Sequence, residues 1–201
     1  MVIPWQPKVF ITDGAVTTDP KGEVHMKDKN KNAQHVGSRC SNMTSMETSW
    51  YITGFADGEG CFSVSFTKRE KMKTGIEIRP SFSIGQNKNS LKVLQEIHKY
   101  FDCGAIRFSK SDQTYKYEVR SIGDLRKKII PHFQKFPLKT SKNVDFLKFS
   151  WICDQIAASK HLNKECLVEI IDQAYTMNES GKRKYTKEDL LRIVKRDESI
   201  V

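Results

Sequence analysis

The chain has 201 residues, 38% of them hydrophobic and 29% charged, and its 34 Lys+Arg against 24 Asp+Glu leave a formal net charge of +10. That length suits one sizeable core, or one domain with a tail. No apolar run approaches the ~20 residues that cross a bilayer, and an aromatic content of 10% argues against global disorder. The surplus of positive charge is the footprint expected of a protein whose partner is a polyanion, nucleic acid foremost.

Five cysteines, Cys40, Cys61, Cys103, Cys153 and Cys166, are scattered, with no Cys-x-x-Cys pair and no His at finger spacing. Neither a zinc module nor a disulfide framework is expected, and a reducing compartment is. Val2-Ile3-Pro4-Trp5 is too short for the apolar region of a secretory signal. The first 38 residues hold no Arg but do hold Asp13, Asp19, Glu23 and Asp28, unlike an import presequence. The expectation is a protein that, if it works in an organelle, is made there.

Residues 1–47 mix Gly, Asp, Lys, Asn, Ser and Thr, with one short apolar stretch, Val9-Phe10-Ile11. They read as a flexible N-terminal extension, and residues 48–201 as the folded domain with its C-terminal helices. Thr48 or Ser49 can cap a short helix from Trp50 to Gly58. Next, Phe62, Val64 and Phe66 alternate with Cys61, Ser63, Ser65 and Thr67. A loop carrying Lys68, Arg69, Lys71, Lys73 and Gly75 leads to a second run, with Ile76, Ile78, Phe82 and Ile84 on one face and Glu77, Arg79, Ser81 and Ser83 on the other. This predicts a β-hairpin with one apolar and one polar face. Pro80 predicts an edge position or a bulge.

A helix follows, with Leu91, Leu94, Ile97 and Phe101 at helical spacing. A second strand pair spans Ala105 to Ser109 and Tyr115 to Ile122, joined by Lys110-Ser111-Asp112-Gln113. Asp124 starts a helix with Leu125, Ile129, His132 or Phe133, and Phe136 inward, ended by Pro137. The helix from about Lys142 to Ser159 carries Val144, Leu147 and Trp151. Two more are predicted, Asn163 to Met177 and Lys187 to Arg196, the last with a capping-box pattern from Thr186 to Asp189. The order α-β-β-α-β-β-α followed by further helices is α+β with antiparallel strands. The first helix has no second copy downstream, so the chain is not an internal repeat.

The most informative stretch is Ile52-Thr53-Gly54-Phe55-Ala56-Asp57-Gly58-Glu59-Gly60. Gly54 and Gly58 lie four apart, on one helix face, although a helix interior loses about 1 kcal/mol per Gly relative to Ala. Close approach of another backbone is the usual reason. Asp57 and Glu59 then sit at the wrong end of the helix dipole. Paired acids there suit a hard cation such as Mg²⁺, which favours carboxylate and carbonyl oxygen; an ordinary turn with solvated acids is the competing reading. The polar strand faces carry Ser63, Ser65, Thr67, Glu77, Arg79, Ser81, Arg107, Ser109, Lys116, Glu118 and Arg120. A twisted antiparallel sheet of this kind can follow the DNA major groove. Arg79 and Arg107 are natural guanine readers, and Lys68, Arg69, Lys71 and Lys73 suit phosphates. A solvated strand face that binds nothing is the alternative.

The nonapeptide resembles the motif that names the LAGLIDADG homing endonucleases. Gly54, Phe55, Asp57, Gly58, Glu59 and Gly60 stand where that pattern wants them, while Ile52 and Thr53 replace Leu-Ala and Glu59 replaces the second Asp. The resemblance extends over residues 48–158. It includes Phe82-Ser83-Ile84-Gly85-Gln86 and Phe136-Pro137-Leu138-Lys139-Thr140-Ser141-Lys142. It implies the LAGLIDADG homing-endonuclease fold, with an antiparallel sheet that binds DNA. A single motif implies a homodimer, with Gly54, Phe55, Asp57 and Gly58 at the helix-to-helix interface. By the same resemblance Glu59 and the Gly58 carbonyl hold a divalent metal, Mg²⁺ or Mn²⁺. Gln86 matches a water-positioning residue and Ser83 another, while Lys142, or alternatively Lys139, matches the basic residue beside the phosphate. Asp57 reads as structural. The implied activity is site-specific cleavage of double-stranded DNA on a long, nearly palindromic target, by an intron-encoded, organelle-encoded protein. An RNA-binding intron maturase on the same scaffold is the alternative. A DNA-binding regulator with a dead site is disfavoured by the intact Glu59. HNH and GIY-YIG nucleases are excluded, since His25, His35, His98, His132 and His161 form no cluster.

Overall fold

The computed structural model describes residues 44–178 and 181–195. The expected extension therefore lies outside the described residues over 1–43, and its last positions belong to the first helix instead. Helix α1 runs Ser45–Glu59. Its start is fixed by a capping box: Thr44 Oγ1 accepts the Glu47 N–H at 3.3 Å, and the Glu47 carboxylate accepts the Thr44 N–H at 2.7 Å. This is one turn earlier than a cap at Thr48 or Ser49. Those two hydroxyls donate back to the Thr44 and Ser45 carbonyls, as mid-helix Ser and Thr do.

Strand β1 (Gly60–Lys68) leaves α1 with no intervening loop and pairs antiparallel with β2 (Ile76–Asn87), Gly60 opposite Ile84 and Lys68 opposite Ile76. Helix α2 (Leu91–Phe101) then leads to β3 (Ala105–Ser109) and β4 (Thr114–Val119). The sheet order is β1-β2-β4-β3. Strand β2 is thus central, which bears on Pro80. The ladder between β2 and β4 covers only Phe82 to Asn87, so Pro80, opposite Val64, falls where β2 has β1 alone as neighbour. Its missing N–H needs no partner strand on the other side.

After β4, a helical stretch runs from Ile122 to Lys135; its middle turn, Leu125–Ile129, is of π type, and it closes as α3 (Ile130–Lys135). Pro131, which has no N–H to bond back along the helix, lies two residues after that turn. Both His132 and Phe133 face inward. Helices α4 (Lys142–Ala157), α5 (Lys164–Tyr175) and α6 (Lys187–Lys195) complete the described fold. Thr186 and Asp189 cap α6 reciprocally, as the sequence pattern predicts.

Helices cover the apolar face of the sheet: α2 packs on β2 and β4, and α4 packs on β1. At the centre, the Phe62 ring lies 5.0 Å from Phe82 and 5.3 Å from each of Phe133, Phe146 and Phe149. Helix α4 is apolar on two sides, and the side that wins burial is Phe146, Phe149, Ile152 and Cys153. Val144 and Leu147 are left 53% and 58% exposed, and Trp151 half-buried. Side chains between α5 and α6 close the free edge of β1. Asn178 Nδ2 donates to the Phe62 carbonyl at 2.7 Å and Arg183 to that of Val64 at 3.4 Å, and Arg183 also bonds the Ala174 and Met177 carbonyls. The opposite face of the sheet is the polar one.

Candidate active site and nucleic-acid interface

The two acids of the α1 terminus are used differently. The Asp57 carboxylate accepts the Lys139 N–H at 2.8 Å, the Thr140 N–H at 3.1 Å and the Thr140 hydroxyl at 2.5 Å. Partial burial works against its charge, but the Thr140 hydroxyl and the two amides outweigh it and hold the carboxyl below its ordinary range. Asp57 therefore ties the α3–α4 loop to α1. Its carboxylate is turned to its own chain rather than offered to a partner helix. Lys142 completes the terminus: its ammonium donates to the Ala56 carbonyl at 3.0 Å and the Gly58 carbonyl at 3.2 Å. A cation on the last carbonyls relieves the unfavourable dipole that the acids alone would face. Partial burial draws the Lys142 amine down, opposed by Asp57 and the other acids nearby.

Glu59, in contrast, is exposed and makes no side-chain hydrogen bond or ion pair among the described residues. Gly60, directly after it, is required by space: a Cβ there would stand 2.6 Å from the Ala56 carbonyl oxygen. The register that sets Gly60 opposite Ile84 carries Gln86 two residues further, to the end of the sheet where α1 stops. Glu59, Gln86 and Lys142 thus share one end of the molecule. Lys139 is there too, its side chain exposed while Asp57 holds its amide.

The rest of α1 presents a second feature. Gly54 and Gly58 are exposed, and a Cβ on either would meet nothing within 4 Å. Among the described residues no packing asks for glycine at either place. On the same exposed side stand Met46, Trp50 and Tyr51, 65%, 43% and 46% exposed, with Phe55 half-buried against Tyr51. The buried side of α1 is held by a polar chain that sequence reasoning missed. Thr53 Oγ1 donates to the Phe136 carbonyl and lies 3.1 Å from His132 Nε2; His132 Nδ1 lies 2.9 Å from the Tyr100 hydroxyl, itself 2.8 Å from Ser49 Oγ. Burial pushes His132 down to about 4, so its ring is neutral at physiological pH.

On the polar sheet face the residues named from the sequence come together, with corrections. Ser63 and Ser81 share a hydrogen bond at 2.9 Å, Ser65 donates to the Arg79 carbonyl, and Ser109 bonds Ser111. Glu77 pairs with Arg69 and Arg79, both at 2.8 Å. Ser83, expected at the surface, is buried, because it sits mid-sheet between Cys61 and Glu118. Glu118 is likewise nearly buried, beneath Arg107, Lys116 and Arg120. Thr67 is half-buried, while Lys71 and Lys73 are exposed in the β1–β2 turn; Lys68 lies over the Tyr185 ring, 4.8 Å from its centre.

A polar sheet face carrying Arg79, Arg107, Lys116 and Arg120, and a helix end where Glu59 has no side-chain partner among the described residues, suit a polyanionic ligand. Residues 52–153 match the LAGLIDADG endonuclease family, and the chain belongs to that family. It is similar to the homing endonuclease I-ApeII of Aeropyrum pernix, with 29% identity over 75% of this chain and 92% of that protein. Among solved structures it resembles the homing endonuclease I-TnaI, with 39% identity, a TM-score of 0.64, and 73% of this chain and 95% of that chain covered. It also resembles the archaeal intron-encoded homing endonuclease I-Vdi141I complexed with DNA, with 30% identity, a TM-score of 0.68, and 73% and 94% covered. Longer relatives from Neurospora crassa and Podospora anserina match as well, and the chain spans about a quarter of their length.

Proposed function

We propose that this protein is an intron-encoded homing endonuclease that hydrolyses one phosphodiester on each strand of a long, nearly palindromic duplex, working as a homodimer. The observation that carries this reading is the exposed Glu59 carboxylate, without a side-chain partner among the described residues, at the sheet end that Lys142 and Gln86 share and at the end of a helix whose glycine face is open. The DNA partner is supported by the DNA-bound relative and by the basic sheet face. The homodimer is supported by the exposed Met46, Trp50 and Tyr51 beside Gly54 and Gly58, an apolar helix side that a second copy would cover. Intron-encoded relatives from fungi, one of them in an ND4 intron, support an origin in an organelle genome, with the mitochondrion ahead of the chloroplast.

The donor set suits a divalent metal. Glu59 is a hard oxygen ligand of the kind Mg²⁺ or Mn²⁺ takes; the Gly58 carbonyl is another, and to hold the ion it would exchange the Lys142 ammonium, which keeps the Ala56 carbonyl. Among the described residues no three His, Cys, Asp or Glu side chains cluster, so one chain supplies few ligands and the Glu59 of a second copy would add to them. Such an ion, when bound, neutralises a scissile phosphate and acidifies water. Lys142 places its amine on the α1 terminus, beside where the phosphate would lie; the Gln86 side-chain carbonyl can orient the attacking water by accepting a hydrogen bond from it. Lys139 is the second cation within the same loop. Asp57 stays outside the chemistry and holds Lys139 and Thr140 in place.

The test is Glu59→Gln. Duplex binding should stay within about threefold of wild type, since one exposed carboxylate adds nothing to phosphate attraction, while cleavage is lost. Wild-type cutting by the variant would remove Glu59 from the reaction. A chain that cuts nothing but accelerates splicing of its intron would be a maturase.

A further inference from the structure

Two carboxylates, Glu77 and Glu118, stand among the cations of the polar sheet face, and their settings differ. Glu77 is 26% exposed near the turn end of the hairpin, whereas Glu118 is 8% exposed at mid-sheet, opposite Ser83 on one side and Ala105 on the other. Arg120 lies 2.9 Å from the Glu118 carboxylate, Lys116 3.4 Å and Arg107 3.9 Å. All three cations are more than half exposed, at 56%, 52% and 66%. Lys116, Glu118 and Arg120 border a hollow of about 240 Å³ that Ser63, Arg79 and Ser81 also line, with Arg107 outside it.

A buried acid is an odd choice beneath a surface meant for a polyanion. Removing a carboxylate from water is unfavourable unless it is well paired, and its charge repels phosphate. It has two effects on the cations above it. It fixes the guanidinium groups before any ligand arrives, so less side-chain freedom is lost on binding. It also lowers the charge of the cluster from +3 to +2, which weakens attraction to phosphate of any sequence. Both effects favour a ligand with directed acceptors, such as the O6 and N7 edge of guanine, over the uniform charge of a backbone.

We propose that Glu118 is a specificity-determining positioning residue: it touches no DNA itself, but aims Arg107, Lys116 and Arg120 at base edges and withholds them from phosphates. This rests on the DNA reading above. It also differs from the expectation that Glu118 reads DNA directly.

The test uses the full chain, an arbitrary-sequence duplex of about 30 base pairs, and duplexes that wild type selects from a randomised pool. Arg107→Ala and Arg120→Ala first identify which base positions those side chains read. Glu118→Gln, which removes charge at constant shape, should bind the arbitrary duplex several-fold more tightly and steepen the log K against log[salt] slope by about one. Its preference at the positions so identified should fall roughly tenfold. Glu118→Asp keeps the charge but shortens the reach. It should lose the preference without gaining affinity for the arbitrary duplex, and it carries the test should the Gln variant not fold. A merely structural Glu118 would move neither salt slope nor base preference in folded variants, and that result overturns the proposal alone. A wild type that binds no duplex overturns the DNA reading and this inference with it.

Discussion

Asp57 and Glu59, two residues apart on one helix end, illustrate how environment divides work between like groups. Asp57 accepts hydrogen bonds from Thr140 and the Lys139 amide, and Glu59 is left to solvent. Asp57→Asn should therefore lower unfolding stability by about 1–2 kcal/mol, the value of charge-assisted bonds replaced by weaker ones. Since the native carboxyl titrates below 3.8, wild type loses this advantage as pH falls through that lowered value, and the two urea-unfolding curves should converge there. His132 acts in a higher window. Its native value of about 4 lies below the 6.5 of an unfolded His, so the unfolded chain takes up the proton first as pH falls. Stability should be level above pH 6.5 and should decline by about 3 kcal/mol between there and pH 4. His132→Gln, which cannot titrate, should flatten that part of the urea-unfolding profile.

Among the elements, α1 does most to connect the fold with the proposed dimer. A Cβ at Gly54 or Gly58 meets nothing within 4 Å among the described residues, whereas at Gly60 it strikes the Ala56 carbonyl. Gly54→Ala should accordingly raise the stability of the isolated chain by about 1 kcal/mol. Gly54→Leu or Gly58→Leu should leave the fold intact and shift sedimentation toward monomer; an unchanged dimer would place the interface elsewhere. The strands were legible from alternation because one face is buried and the other is not, and β1 pairs antiparallel with β2 as the predicted hairpin requires. Helix α4 was legible in extent but not in orientation: with apolar residues on two sides, only packing on Phe62 decides that Phe146 and Phe149 go in and Val144 and Leu147 stay out. Truncating that hub, Phe62→Ala, should destabilise by about 3–5 kcal/mol in urea unfolding.

Across the whole molecule, net charge and the α-β-β-α-β-β-α order pointed to a sheet that faces a polyanion, and the motif pointed to the helix end that carries Glu59. What local pattern could not supply were contacts between distant segments. Thr53, His132, Tyr100 and Ser49 meet only once α1, α2 and α3 pack; Asn178 and Arg183 reach the edge of β1 from more than a hundred residues away. Ser83 and Glu118 look like surface residues along their strands, and the sheet's centre buries them. Helix α1 nevertheless ends at the same edge of the sheet from which β1 starts, so the proposed cutting group and the proposed binding face belong to one continuous segment. The most direct measurement of that claim is Mg²⁺-dependent cleavage of a duplex that carries the intron-less junction of the gene harbouring this reading frame, with Glu59→Gln beside wild type. Cutting of both strands at the junction by wild type and not by the variant is the predicted result. An intact duplex with both proteins, at concentrations where wild type binds it, would contradict the account.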